Sequence, residues 1–211
     1  MTGFGVKNGL LTVPPGWEFS VNPDKVKGVK IKPTLLVVHY GVTQAHKELE
    51  STLLSNDYVS AHLALTARDG RRQITQLVPF DVQAGHAGPT AVYRGGRSNV
   101  NSFSIGIEIN NPGPLFLTND GLLVDVYKRP WHGEHYVGPH QSGRFQNWKR
   151  WARYTDEEIE AVWEISEALR DHYALQDVVG HDEIRQDKAD PGPTFPMPWL
   201  RSQLFPGTVV A

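Results

Sequence analysis

Leu35-Leu36-Val37-Val38-His39 decides the fold. Four consecutive apolar residues, two of them β-branched, read as a strand buried at the centre of a sheet. His39 stands at its C-terminal end. Further along, residues 44–55 carry Ala45, Leu49 and Leu53 at four-residue spacing, which predicts a short amphipathic helix. Residues 62–66 and 73–78 are apolar–polar runs joined through Arg68-Asp69-Gly70-Arg71, a hairpin signal. Residues 104–110 alternate with period two, with Ile105, Ile107 and Ile109 on one face and Ser104, Gly106, Glu108 and Asn110 on the other. Thr155-Asp156-Glu157-Glu158 is a capping box. The stripe of Ile159, Val162, Trp163 and Leu169 behind it predicts a helix over about 155–172. Val178-Val179 reads as a short strand or turn leading into Gly180-His181, and 199–204 as a terminal helical turn or two. Strands alternating with helices, with a hairpin among them, predict a single α/β domain whose central mixed sheet is flanked by helices.

Composition bounds the function. The 211 residues fit one domain, and a net charge of -2 gives no reason to expect a nucleic-acid partner. No run approaches the roughly 18 apolar residues of a spanning helix, so no integral membrane segment is expected. Zero cysteine excludes disulfides, thiolate zinc sites and cysteine nucleophiles. The start, Met1-Thr2-Gly3-Phe4-Gly5-Val6-Lys7, lacks an apolar core, so no secretory signal is expected and the chain reads as cytoplasmic as synthesised. Residues 1–33 hold turn formers (Pro14, Pro15, Gly16, Asn22, Pro23) and read as an irregular arm with one short hairpin. The main domain is expected over 34–205. Residues 111–154, rich in proline, glycine and aromatics, have no sustained period and read as a long loop insertion.

Without cysteine, a metal site must draw on His, Asp or Glu. A catalytic zinc takes about three protein ligands and keeps a position open. His39, His181 and Asp190 stand out by location. They are far apart in the chain, and the short H-E-x-x-H helical motif is absent. Each also has an ordinary alternative. His39 suits a hydrogen-bonded structural role, Asp190 before proline suits a turn start, Glu108 a solvated strand position and Lys188 a surface charge. Residue types alone leave the metal one reading among several.

Seven segments in one order change that: Leu36-Val37-Val38-His39-Tyr40, Val59-Ser60-Ala61-His62, Arg68-Asp69-Gly70, Gly85-His86-Ala87-Gly88, Asn101-Ser102-Phe103-Ser104-Ile105-Gly106-Ile107-Glu108, Gly180-His181-Asp182-Glu183-Ile184 and Lys188-Ala189-Asp190-Pro191-Gly192-Pro193. This pattern resembles the zinc-dependent N-acetylmuramoyl-L-alanine amidases of the type 2 family. It is most similar to AmpD-like enzymes and more distantly to phage amidases and peptidoglycan recognition proteins. The matching stretches run from about 34 to 110 and from 155 to 200.

The resemblance implies a zinc ion (Zn2+) held by His39, His181 and Asp190. It implies Glu108 as general base and acid, and Lys188 beside the developing oxyanion. It places His86 near the cleft as a substrate contact, with Arg68 and Arg97 gripping carboxylates of a stem peptide. Some relatives carry a catalytic tyrosine where this chain has Ala61, which places it in the glutamate-using branch. The implied reaction is hydrolysis of the amide between the lactyl group of N-acetylmuramic acid and L-alanine, in peptidoglycan or a soluble muropeptide. The setting is cytoplasmic recycling, or lysis by a phage-encoded endolysin released to the wall. Two rivals stand beside this. A non-catalytic recognition protein binds peptidoglycan and has lost a metal ligand, whereas all three ligand positions here keep competent side chains. A zinc peptidase on an unrelated fold needs no muramyl sugar.

The remaining histidines carry less. His62 reads as structural, and His46 and His172 as surface residues on helices. His132, His135 and His140 fall in the 111–154 loop, as a solvated segment or a second metal site. Trp131, Tyr136, Phe145, Trp148 and Trp151 of that loop suit either a groove wall or a satellite hydrophobic cluster.

Overall fold

The computed structural model describes residues 3–22, 28–55 and 60–207. Met1, Thr2, Pro23 and Val59, all used in the sequence reading, lie outside the described residues.

An antiparallel hairpin of β1 (Gly5–Lys7) and β2 (Leu10–Thr12) opens the chain. β3 (Glu18–Val21), β4 (Leu35–Tyr40), β5 (Leu63–Arg68), β6 (Arg71–Gln76), β7 (Ser104–Ile109) and β12 (Asp177–Gly180) form a six-stranded sheet in the order β12-β4-β7-β5-β6-β3. It is mixed: β4 runs parallel to both β12 and β7, β7 is parallel to β5, and the β5–β6 hairpin is antiparallel. Asp69 (φ 54°) and Gly70 (φ 72°) make the two-residue turn of that hairpin, both left-handed as its twist requires.

The alternation along β4 and β7 divides the molecule. Leu36 and Val38, with Ile105, Ile107 and Ile109, face α2 (Asp156–Tyr173) and α4 (Met197–Leu204), where Val162, Ile165, Leu169 and Leu200 are fully buried. Leu35 and Val37 face the other way, onto Ala87, Val100, Phe103 and Ile184. α1 (His46–Leu54) covers the same side further along with Leu49 and Leu53. By the same period-two rule His39 and Glu108 belong to this second face. The chain enters α2 through the capping box: Thr155 accepts from the Glu158 amide at 3.0 Å, and Glu158 accepts from the Thr155 amide at 3.0 Å.

Three expectations change. The 111–154 stretch is not a bare loop. β8 (Pro114–Leu117), β9 (Leu123–Val124), β10 (His135–Val137) and β11 (Arg150–Ala152) form a second, antiparallel sheet in the order β10-β11-β8-β9. Its strands are two to four residues long, too short for a period of two to show in sequence. The N-terminal arm is also more than irregular, because β3 joins the edge of the main sheet beside β6. His46 is buried, not a surface residue: its ring nitrogens bond Thr66 Oγ1 and Thr75 Oγ1, each at 3.0 Å.

Candidate metal centre

Parallel pairing puts the site together. His39 is the next-to-last residue of β4, and the register sets Glu108 of β7 directly opposite it. On the other side β12 ends at Gly180, opposite Val38, so His181 leaves the sheet beside His39 as the first residue of α3 (His181–Ile184). Asp190 returns from the following loop, where its carbonyl accepts the Asp182 amide at 2.9 Å.

His39 Nδ1 lies 3.0 Å from His181 Nδ1, and Asp190 Oδ2 lies 2.9 Å from each. All three residues are buried. The partners of the far ring nitrogens fix the tautomers. Ser104 donates its hydroxyl to the Val100 carbonyl at 2.7 Å, so its oxygen accepts from His86 Nε2 at 3.0 Å. His86 Nδ1 is then an acceptor, filled by His39 Nε2 at 3.0 Å. His181 Nε2 donates to the Ala87 carbonyl at 3.2 Å. Both Nδ1 atoms therefore present lone pairs, and they meet a carboxylate oxygen. Three acceptors turned on one point suit a cation. Tetrahedral zinc with bonds of about 2.1 Å holds its ligand atoms about 3.4 Å apart, so these three need part by only a few tenths of an ångström. Imidazole ligands whose other nitrogen is engaged are the usual support of such a site.

Electrostatics agree. Burial, then the neighbouring His181, pushes His39 down to about 4, and burial with three nearby histidines holds His86 well below its ordinary value. Burial disfavours the Asp190 carboxylate, but His181 and His39 outweigh it and hold that carboxyl well below the usual range. Glu108 moves oppositely. Burial pushes it up to about 8, Asp190 adds to the rise and Lys188 opposes it. Glu108 Oε2 is buried and has no hydrogen-bond partner among the described residues. Lys188 is half-buried in the loop before Asp190.

The other candidates are placed as follows. His86 stands behind His39, with its ring packed where Gly106 leaves room: a Cβ there would come within 2.4 Å of the ring. Its position is that of an orienting residue. Arg68 gives its guanidinium to buried Glu158 (2.8 Å) and the Arg153 carbonyl (2.8 Å), with Trp131 alongside. Arg97 is exposed and lies over the Phe103 ring. Neither arginine hydrogen-bonds the three ligands among the described residues. His62 is buried between the Gly106 amide and the Val82 carbonyl. Phe145, Trp148 and Trp151 pack on one another, as the satellite cluster does. Sequence reasoning passed over Ser104, although its place on the polar face of the 104–110 alternation was the available signal.

The family described as N-acetylmuramoyl-L-alanine amidase (Amidase_2) matches residues 30–193. The chain belongs to this amidase family. The 1,6-anhydro-N-acetylmuramyl-L-alanine amidase AmpD of Escherichia coli is 33% identical over 150 residues, which are 70% of this chain and 58% of that protein. The structure of the N-acetylmuramyl-L-alanine amidase AmiD from E. coli, in complex with its substrate anhydro-N-acetylmuramic acid-L-Ala-D-gamma-Glu-L-Lys, is 26% identical. It matches with a TM-score of 0.58 over 96% of this chain and 66% of that one. A selenomethionine AmpD structure matches with a TM-score of 0.55 and 25% identity over 94% of this chain and 97% of that one. The chain thus spans 58% of the E. coli AmpD and 66% of the AmiD structure. The single α/β domain with its mixed sheet is the architecture these amidases share. No described helix is long and apolar enough to cross a membrane.

Proposed function

We propose that the protein is a zinc-dependent N-acetylmuramoyl-L-alanine amidase acting on muropeptides, cutting between the lactyl carbonyl of N-acetylmuramic acid and the L-alanine nitrogen. One observation carries this: two imidazole lone pairs and the Asp190 carboxylate converge within 3.0 Å, with a buried glutamate on the adjoining strand whose Oε2 has no hydrogen-bond partner among the described residues. The AmpD and AmiD relatives, named for this reaction, support it. The sugar is the 1,6-anhydro form on this reading, as in the AmpD name and the AmiD complex.

His39, His181 and Asp190 would hold the zinc. Zinc at such a site polarises a carbonyl and lowers the pKa of a water. Glu108 moves the protons. As a carboxylate it accepts one from the water whose oxygen bonds to the lactyl carbonyl carbon, then returns it to the alanine nitrogen as the C–N bond breaks. Burial raises the Glu108 carboxyl to about 8 in the metal-free protein, and a dication held by the three ligands would draw it back towards the carboxylate that the base role needs. The Lys188 ammonium adds a fixed positive charge for the carbonyl oxygen as it becomes negative.

The test is mass spectrometry of two digests, one of a soluble anhydro-muramyl peptide and one of intact sacculi, each with chelator and with zinc restored. Free stem peptide that disappears with chelator and returns with zinc is expected, faster from the soluble substrate. Faster release from sacculi would reassign the protein to wall lysis. No free peptide from either, with zinc bound, would overturn the amidase reading.

A further inference from the structure

The two ligands beyond the sheet, His181 and Asp190, sit on weak supports. α3 is only four residues long, and the loop from Arg185 to Asp190 pairs with no strand among the described residues. So short a helix does not hold its own geometry. Arg201 of α4 grips Glu183 at 2.8 Å and Ile184 is packed in the core, and the remaining support comes from the 111–154 insertion.

His140 is 1% exposed, between Phe145 and Trp151, each at 5.3 Å between ring centroids. Its Nδ1 accepts from the Ser142 amide at 3.2 Å, so its proton is on Nε2. Nε2 donates to the carbonyl of Ala189, the residue bonded to Asp190, at 3.0 Å. Next to it, Gln141 donates to the Asp182 carboxylate at 3.0 Å. Arg144 donates to the Asp182 carbonyl at 2.6 Å and reaches the Arg185 carbonyl at 3.5 Å, supplying partners that the end of a short helix lacks. One five-residue segment thus grips both ligand-bearing stretches. Its base is fixed in the small sheet, where Trp151 lies in β11 and packs under Gly192.

We infer that His140, Gln141 and Arg144 are a brace that positions His181 and Asp190 for the metal, with His140 as its buried centre. The inference rests on the proposed metal site. It gives the insertion a role of its own: it sets how long the metal stays. Outer partners of metal ligands typically change affinity by about 10- to 100-fold when removed, and that is the effect expected here.

The experiment measures zinc release from the full chain into excess chromophoric chelator, beside thermal unfolding of the zinc-free protein. His140→Phe keeps an aromatic ring against Trp151 and removes the donor to Ala189. It is expected to release zinc about 10- to 100-fold faster than wild type. His140→Gln puts an amide N–H where Nε2 was and is expected to restore slow release. A residue that served only packing would shift the unfolding temperature of the zinc-free protein and leave release unchanged. Arg144→Met, at a half-buried position, gives the same test if His140→Phe does not fold. Wild-type release rates in the folded variants would overturn the brace while leaving the metal site standing. A wild-type chain that holds no zinc would overturn the site and the brace with it.

Discussion

Glu108 sits opposite His39 with one carboxylate oxygen buried and unpartnered among the described residues. Glutamine has nearly the same shape and cannot take a proton. Glu108→Gln is therefore expected to bind zinc at wild-type stoichiometry and to lose about 10²- to 10⁴-fold in kcat. Wild-type turnover in that variant would remove the general-base role. His62 makes a different claim, on stability. Its Nδ1 accepts from the Gly106 amide and its Nε2 donates to the Val82 carbonyl, so the folded protein requires it neutral. Burial holds it at about 4, against an ordinary 6.5. Between those values the unfolded chain binds the extra proton and the folded chain does not. The contribution is complete above pH 6.5 and is lost as pH falls towards 4, amounting to about 3 kcal/mol. Denaturant unfolding across that window should show a shallower pH slope in His62→Gln than in wild type, and equal slopes would refute the assignment. Not all of this was legible from residues. The ligands lie 142 and 9 residues apart in sequence, so no spacing rule finds them, and only the ordered motifs do. His86 shows the limit. Its service to His39 depends on the space left by Gly106, a contact between a loop and a strand that neither segment reveals alone.

At the scale of elements, α2 shows the sequence at its most legible. The capping box was readable to the residue, because it is a contact between residues three apart. What the sequence could not show is the other use of Glu158. Its side chain is 0% exposed and takes the guanidinium of Arg68 from the end of β5, 90 residues away. Thr155 likewise donates to the Ala67 carbonyl, so with the two Arg68–Glu158 bonds the start of α2 is tied to that strand by three hydrogen bonds. Arg68→Ala leaves a buried carboxylate without its cation, at a cost of about 3–5 kcal/mol. In a domain of this size each kcal/mol lowers Tm by about 2–4 °C, which puts the expected drop at about 6–20 °C by calorimetry. Thr155→Ala is expected to cost about 1–2 kcal/mol, for the lost cap and the lost bond to Ala67. If Arg68→Ala instead kept its Tm and raised KM alone, the arginine would be gripping substrate as the family resemblance implies. The small sheet of the insertion was not legible for the opposite reason. Its strands are held by pairings between Pro114 and Trp151 or His135 and Ala152, and none is long enough to announce itself.

Across the whole molecule, the candidate metal centre and the α2-side hydrophobic core lie on opposite faces of the main sheet. The α2 face of the sheet buries Leu36, Val38, Ile105, Ile107 and Ile109 at 0% exposure, and none of them touches on whether an ion is held on the other face. The α/β class was readable from the 35–39 run and its neighbours because it depends on this core alone. Metal removal should therefore leave the fold in place, unlike small zinc domains that unfold without their ion. The ion would still tie three stretches to one point: the end of β4, the start of α3 and the loop at Asp190. It binds the native arrangement and not the unfolded chain, so its contribution grows with the logarithm of free zinc, reaching about 4 kcal/mol at a thousandfold excess over Kd. The expectation is an unchanged far-ultraviolet circular dichroism spectrum on chelation at 25 °C, with Tm lower by about 8–16 °C and recovered on adding zinc. Loss of the far-ultraviolet signal on chelation would make the ion part of the fold rather than of the chemistry. An identical Tm with and without chelator would mean that His39, His181 and Asp190 hold no zinc.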